Sequence, residues 1–359
     1  MRRGGDRRVG RALDVVIAGG SAAGLFAGLL LARAGHQVLV LERDRLEPAP
    51  DVESAAAAAF RPTAPQIVQP HIVMARCRQL LIEHLPDVYA GLLAAESHRP
   101  ARRPGLPGGS RPPHVTGVRT DHGDLAADVV TRTIVALGSR GFHRRAADDP
   151  ACAAWLDVLD PITGVFPMAG LDNTLRRLVA DGAPVVTGLH AIGDSVCTTN
   201  PTLGRGLALA LSGAADLVDA IGENDADPAA QALALDRLVG AHVVPFYDDQ
   251  AVIDAARLAM MRRHAIFGAP PPRPSPTPGR VTHSQLRAAA SLDPTAFRAL
   301  WKINGMVCPP EQVYTDPDVI ACTQETHRRP AAAPPVTQPA REQLLTALTR
   351  YSPDAGEVG

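Results

Sequence analysis

An apolar stretch near the N-terminus changes its hydrophobic pattern three times in quick succession, which leaves few folds open to the chain. Residues 14–18 read Asp-Val-Val-Ile-Ala, whose β-branched members favour a strand, and residues 19–24 consist of the small residues of a tight turn. A helical run covers Leu25–Ala34, and a second strand-like run covers Gln37–Glu42. Strand, turn, helix and strand in this order predict a βαβ unit with two parallel strands.

The same stretch also has features of a membrane helix. Residues 15–32 carry no charge and follow a basic leader, while Gly20, Gly24 and Gly28 have the spacing that lets membrane helices approach closely. A spanning helix does not explain the strand-like patterns, so we expect a soluble unit without a membrane span. Membrane insertion and twin-arginine export remain the alternatives.

The turn has the spacing of a nucleotide-binding loop. Residues 19–24 read Gly-Gly-Ser-Ala-Ala-Gly, which matches GxGxxG except that Ser21 replaces the middle glycine. In such a loop Gly19 makes the tight turn, position 21 lets the backbone approach a pyrophosphate, and Gly24 permits close helix-to-strand packing. The free N–H groups of the following helix attract phosphate.

An acidic residue follows the second strand where a ribose-binding group is expected. Glu42 lies eighteen residues beyond Gly24, and its carboxylate can accept hydrogen bonds from both ribose hydroxyl groups. A glycine turn followed by a glutamate also arises by chance in chains rich in Gly and Ala. The ordered strand, loop, helix and acidic residue nevertheless predict dinucleotide binding, without distinguishing FAD from NAD.

A second motif, far along the chain, favours flavin over nicotinamide. A strand-like run over residues 188–192 ends at Gly193-Asp194, and this aspartate can bind the ribityl hydroxyl groups of a flavin. A long helix begins near Gly204, and its N-terminal dipole can stabilise the negative charge of a reduced flavin. A nicotinamide dinucleotide has neither a ribityl chain nor a flavin ring, so the two motifs together predict FAD.

These motifs resemble those of FAD-dependent oxidoreductases of the aromatic-hydroxylase group (class A flavoprotein monooxygenases) and of the geranylgeranyl reductases. Residues 65–81 are similar to a family segment in which an arginine-bearing helix approaches the FAD phosphates. The resemblance implies an α/β fold with a Rossmann-like FAD-binding domain of the glutathione-reductase type, in which helices flank a parallel sheet. A reduced substrate region and C-terminal helices complete the expected architecture.

The resemblance also implies which residues bind the cofactor, while the catalytic residues stay unknown and no metal ligand is expected. Arg76 and Arg78 fit a solvated helix face equally well, and Cys197 fits a buried structural thiol. The implied positions are Gly19, Gly20, Ser21, Ala23, Gly24, Glu42 and Arg43 at the ADP half, Arg76 or Arg78 nearby, and Gly193, Asp194, Pro201, Gly204, Arg205 and Gly206 at the flavin half.

The middle of the chain departs from the family. The family's third motif contains an aspartate that has no clear counterpart here, where Thr133 lies near the corresponding position. Only the end of that motif is kept, at Gly138-Ser139-Arg140. About fifty residues separate this motif from Gly193, whereas a substrate-covering sheet needs on the order of 100. Residues 146–159 and 171–178 favour helices within that span. We therefore expect a shortened relative with a reduced substrate region.

Residues 115–130 resemble the paired strands of a β-hairpin, residues 229–261 have amphipathic helical spacing, and Ser284–Met306 favour a further helical pair. Together these patterns predict a discontinuous domain organisation. The predicted parts are an FAD-binding domain over residues 1–145 and 185–225 with a linker at 98–113, a reduced substrate region at 146–184, trailing helices at 226–268, a Pro-rich linker at 269–280, and a helical appendix with a flexible tail at 281–359.

Charge and cysteine content limit the class of partner. The 36 Lys and Arg residues balance 37 Asp and Glu residues, so nothing predicts a nucleic-acid surface. The five cysteines are scattered, which predicts neither a disulfide framework nor a CxxC metal site and fits a cytoplasmic location. We expect a small-molecule substrate, and the oligomeric state stays open.

The predicted function is that of an FAD-dependent, monooxygenase-like oxidoreductase. In the family that the motifs resemble, NAD(P)H is a transient co-substrate that reduces the FAD, and oxygen is then transferred to a small organic substrate. Because the substrate region is short, two alternatives stay open: a flavin-dependent reductase or dehydrogenase of alkenes, and a catalytically degenerate FAD-binding protein.

Overall fold

The computed structural model describes residues 13–45, 54, 73–94, 172–263 and 278–328, and the backbone of residues 118–120 and 123–125. The described residues form two compact units. The first unit lies within residues 1–92, 173–199 and 204–247, and the second within 93–172, 200–203 and 248–359. The predicted domain boundaries stay predictions.

The described elements are mostly helices, with four two-stranded sheets. The strands are β1 (Val15–Ala18), β2 (Val38–Leu41), β3 (Val118–Thr120), β4 (Gly123–Leu125), β5 (Thr174–Leu175), β6 (Val179–Ala180), β7 (Ala183–Pro184) and β8 (Cys197–Thr198). The helices are α1 (Ala22–Arg33), α2 (Ala75–His84), α3 (Pro86–Ala94), α4 (Gly206–Glu223), α5 (Pro228–His242), α6 (Val244–Met261), α7 (His283–Ala290), α8 (Pro294–Asn304), α9 (Pro310–Tyr314) and α10 (Pro317–Arg328). Two short 3-10 helices cover Gly193–Ser195 and Pro201–Leu203.

The predicted βαβ unit is confirmed. Strands β1 and β2 are parallel, with Val15 opposite Val38, and α1 connects them. The Asp14 carboxylate accepts the N–H of Gln37 at 2.7 Å and joins the starts of the two strands. Among the described residues, β1 and β2 are the only parallel pair, so a larger Rossmann-like sheet stays a prediction.

The stretch that had features of a membrane helix is divided between a strand and a helix. Residues 15–18 form β1, residues 19–21 form the turn, and α1 begins at Ala22. Within the part of the chain that the structure describes, no helix has both the length and the apolar character needed to cross a membrane.

Helix α4 lies at the centre of the first unit and packs against α1, α2 and α5. Its buried residues are mostly alanine and leucine. The alanine side chains of α4 are small and allow its neighbouring helices to pack closely. On α1, Gly24 and Gly28 are buried against β1 and β2, because a Cβ atom on Gly24 would meet Ile17 and one on Gly28 would meet Val40. Helix α5 begins after Asp227, whose carboxylate accepts the N–H groups of Ala229 and Ala230.

The C-terminal helices of the second unit have their own core. Helices α7 and α8 confirm the helical pair predicted over Ser284–Met306, and α5 with α6 confirm the helical pattern predicted over residues 229–261. Helices α9 and α10 lie within the expected helical appendix, although no pattern predicted their bounds. The core residues that these C-terminal helices share are Val281, Leu286, Ala289, Ala290, Ala296, Ala299, Ile303, Val313, Tyr314 and Val319.

Two predicted elements are wrong. The helix expected over residues 171–178 is replaced by β5, because Thr174 and Leu175 pair with β8 rather than continuing a local apolar spacing. The strand expected over residues 188–192 is absent, since no described strand pairs with this segment. The hairpin expected after residue 115 is confirmed at β3 and β4, whose Val118 and Leu125 are opposite each other.

Several predicted features lie outside the described residues. They are the linker at 98–113, the motif at 131–140, the helix at 146–159, the Pro-rich linker at 269–277, and the chain beyond residue 328.

Candidate functional site

The glycine loop between β1 and α1 is as tight as its spacing predicts. A Cβ atom on Gly24 would overlap the carbonyl oxygen of Gly19 and lie 3.3 Å from Cγ2 of Ile17. Gly19 has φ +115° and donates its N–H to the carbonyl of Leu41 at 2.8 Å, which ties the loop to the end of β2. The close helix-to-strand packing therefore requires glycine at position 24.

Glu42 joins the loop to the end of the second strand. Its Oε2 accepts the N–H of Gly20 at 2.7 Å, and its Oε1 accepts the N–H of Asp44 at 2.9 Å. The side chain is half-buried, so these charge-assisted bonds fix its position. Arg43 is exposed beside it.

The N-terminus of α1 is not capped by its own serine. Ser21 is the N-cap residue in an extended conformation, and its side chain makes no capping hydrogen bond, although its carbonyl accepts the N–H of Leu25 at 2.9 Å. The first-turn N–H groups of a helix need a partner, and an anion is a suitable one.

The second predicted motif reaches the first turn of α1. Gly193 has φ +59°, and a Cβ atom added to it would lie 2.7 Å from the Cβ of Ala23. On its other side, a Cβ on Gly213 of α4 would lie 3.8 Å from the Gly193 nitrogen. The structure therefore brings together two motifs that are far apart in the sequence.

Local hydrogen bonds define the turn at Gly193–Ser195. The Ser195 hydroxyl donates to the carbonyl of Ile192 at 2.6 Å and accepts that residue's N–H at 3.1 Å. The N–H of Val196 donates to the carbonyl of Gly193 at 3.0 Å. These bonds hold the turn in which Asp194 lies, and its side chain is exposed at the surface.

Desolvation raises two pKa values at this turn. The surrounding protein raises the pKa of the Asp194 carboxyl even though part of the side chain is in contact with solvent. Burial, and secondarily the charge of Asp194, raise the pKa of the Cys197 thiol to about 11. Cys197 is therefore a neutral, buried thiol at physiological pH, which fits a structural role.

This neutral state gives a prediction for alkylation. With a pKa of about 11, roughly one Cys197 in a thousand is a thiolate at pH 8, against about a quarter for an ordinary cysteine. Iodoacetamide should therefore label Cys197 at least about a hundredfold more slowly in the native chain than in urea, with a rate that rises about tenfold per pH unit up to pH 10. Peptide mass spectrometry measures both rates, and rapid native labelling at pH 8 would contradict the assignment.

The start of α4 combines an unusual glycine with a buried arginine. Gly204 has φ +65°, and α4 begins at Gly206 after the N-cap residue Arg205. Arg205 is fully buried, its Nη1 donates to the carbonyl of Phe246 at 2.9 Å, and its guanidinium lies 5.5 Å from the Phe246 ring centroid. Arg205 therefore packs inside the first unit. Pro201 begins the short 3-10 helix, which groups with the second unit.

The two arginines of α2 have different neighbours. The Nε of Arg78 donates to the Tyr89 hydroxyl at 2.9 Å, which joins α2 to α3. Arg76 is close enough to Asp216 on α4 to favour that residue's ionised form.

A carboxylate–imidazole pair lies within the first unit. The Asp216 side chain is only 6% exposed, and its Oδ1 is 2.8 Å from Nδ1 of His242. Desolvation raises the pKa of Asp216, and His242 opposes this shift. No sequence pattern indicated this pair, because its partners come from different helices.

A βαβ unit with a glycine loop at the start of its helix is typical of dinucleotide-binding α/β proteins. In the sequence, residues 12–50 match the family described as FAD binding domain. The match supports FAD as the cofactor and a flavin-dependent oxidoreductase as the class of enzyme. A comparison with proteins of curated function gives no match.

Proposed function

We propose that the chain binds FAD at the junction of its two glycine motifs and acts as a flavin-dependent oxidoreductase. The observation that carries the proposal is the contact of Gly193 with Ala23, which brings the Gly-Asp turn to the phosphate-binding end of α1. The family match over residues 12–50 covers only the first motif, so the contact of Gly193 with Ala23 is the separate observation that supports a flavin half.

The residues at the junction suit the parts of FAD that they would hold. The glycine loop and the uncapped first turn of α1 offer N–H groups to the pyrophosphate, and Gly24 keeps the helix close to the strand. Glu42 would bind the adenosine ribose through its carboxylate, which the N–H groups of Gly20 and Asp44 hold at the end of β2. Asp194 would bind the ribityl chain, and the N-terminus of α4 would face the flavin ring.

We propose further that the enzyme is monooxygenase-like. Bound FAD supplies the redox chemistry, which is reduction by NAD(P)H and transfer of oxygen to a small organic substrate. The chain contributes binding and orientation: the backbone fixes the phosphates, and Asp194 fixes the ribityl chain. The surrounding protein raises the pKa of Asp194, so this carboxyl exchanges a proton at a higher pH than an aspartate fully surrounded by water does.

The test is a visible absorption spectrum of the full chain, before and after titration with FAD, followed by anaerobic NADPH and then air. A bound-flavin spectrum that bleaches with NADPH and returns in air with substrate-dependent NADPH use supports a monooxygenase. Bleaching without oxygen-dependent substrate turnover favours a reductase, and bound flavin that never bleaches favours a degenerate binder. A chain that binds no FAD contradicts the proposal.

The two acidic residues should contribute unequally to FAD binding. Asp194→Ala removes the only acidic side chain of the Gly-Asp turn, whereas Glu42→Gln keeps one oxygen that can accept the Gly20 N–H. We expect Asp194→Ala to raise the FAD dissociation constant about tenfold or more, and Glu42→Gln to raise it less. Fluorescence titration measures both, and equal effects would remove the argument for the second motif.

A further inference from the structure

Arg176 contacts the Gly-Asp turn with both its main chain and its side chain. Its N–H donates to the carbonyl of Val196 at 2.8 Å, and its Nη1 donates to the carbonyl of Asp194 at 3.3 Å. The preceding strand, β5, pairs with β8, where Leu175 lies opposite Cys197. The pairing of β5 with β8 therefore places the Arg176 guanidinium beside the turn.

The carbonyl groups of the turn have different kinds of partner. The Ser195 hydroxyl and the Val196 N–H, both within the turn, donate to the carbonyls of Ile192 and Gly193. The carbonyl of Asp194 accepts its hydrogen bond from outside the turn, from Arg176. Arg176 is therefore the side chain that restrains the peptide following the Asp194 side chain.

The neighbouring residue, Arg177, makes different contacts. Arg177 donates from Nε and Nη2 to the two carboxylate oxygens of Asp236, each at 2.5 Å, and so joins this segment to α5. The two adjacent side chains therefore contact different parts of the first unit. Arg177 is thus a matched control for Arg176, of the same type and one position away.

We infer that Arg176 is a positioning residue for the flavin half of the site. By holding the Asp194 carbonyl it sets the direction in which the Asp194 carboxylate meets the ribityl chain. This assignment rests on the proposed function, since it concerns the same FAD site. Arg176 hydrogen-bonds to the Gly-Asp turn and not to the glycine loop at residues 19–24, so its loss should leave the ADP half intact.

The experiment measures FAD and ADP affinities of the full chain by calorimetry for the unaltered protein, Arg176→Ala, Arg176→Lys and Arg177→Ala. We expect Arg176→Ala to weaken FAD binding about tenfold while ADP affinity changes by less than about twofold. Arg176→Lys, which keeps a charged donor, should recover most of the loss. Arg177→Ala should lower the melting temperature without changing the ratio of FAD to ADP affinity.

The possible outcomes separate this assignment from the proposed function. Unchanged FAD affinity in Arg176→Ala, or an equal loss of FAD and ADP affinity, overturns the assignment while FAD binding itself stands. The same change of the FAD-to-ADP ratio in Arg177→Ala also overturns it, because a general loosening of the segment would then be the cause. Failure of the unaltered chain to bind FAD overturns the proposed function and the assignment together.

Discussion

Gly24→Val is expected to abolish FAD binding. Even the Cβ of the new side chain would overlap the Gly19 carbonyl, and its branches would meet Ile17, so α1 must move away from β1. Inserting carbons into a packed site costs about 1–3 kcal/mol, and the upper value corresponds to more than a hundredfold loss of affinity. Fluorescence titration with FAD measures the loss directly.

Two further variants distinguish a local effect from general unfolding. Gly24→Ala adds only the Cβ, and we expect it to fold and to bind FAD weakly, because the clash is with backbone and not with a flexible side chain. Gly222→Ala, near the end of α4, adds a Cβ to open space and should change neither folding nor binding. A yellow, FAD-loaded Gly24→Val protein would mean that the N-terminal loop has another role.

The parts of the fold that follow from local pattern could be predicted. The βαβ unit could be predicted because β-branched runs flank a glycine loop and a helical run, and because Glu42 directly follows the second strand. The helical pair α7 and α8 could also be predicted from local pattern. The N-cap residues of the two helices, Thr282 and Asp293, are of types that favour the start of a helix.

The parts that depend on distant partners could not be predicted. Two-residue strands such as β5 carry too little pattern to reveal their pairing, so a local apolar spacing suggested a helix there instead. Arg205 was predicted to bind cofactor from its motif, and its complete burial against Phe246 depends on where the chain returns at α6. For the same reason nothing in the sequence indicated that Arg176 reaches the Gly-Asp turn.

Gly193→Ala is expected to weaken FAD binding by breaking the junction of the two motifs. At φ +59° an alanine costs about 1–2 kcal/mol in backbone conformation, and its Cβ would also press against the Cβ of Ala23. Gly188→Ala is the matched control, because Gly188 has φ +75° with open space around it. We expect Gly193→Ala to raise the FAD dissociation constant at least about tenfold, and Gly188→Ala less than about twofold.

A double variant tests whether the contact itself is responsible. Ala23→Gly removes the opposing Cβ, so Ala23→Gly with Gly193→Ala should bind FAD more tightly than Gly193→Ala alone, although Ala23→Gly by itself costs up to about 1 kcal/mol of helix stability. Contacting residues typically show coupling energies of about 0.5–3 kcal/mol in such a cycle. Additive effects would mean that the two motifs do not meet in solution, and FAD binding would then have to be explained by the N-terminal loop alone.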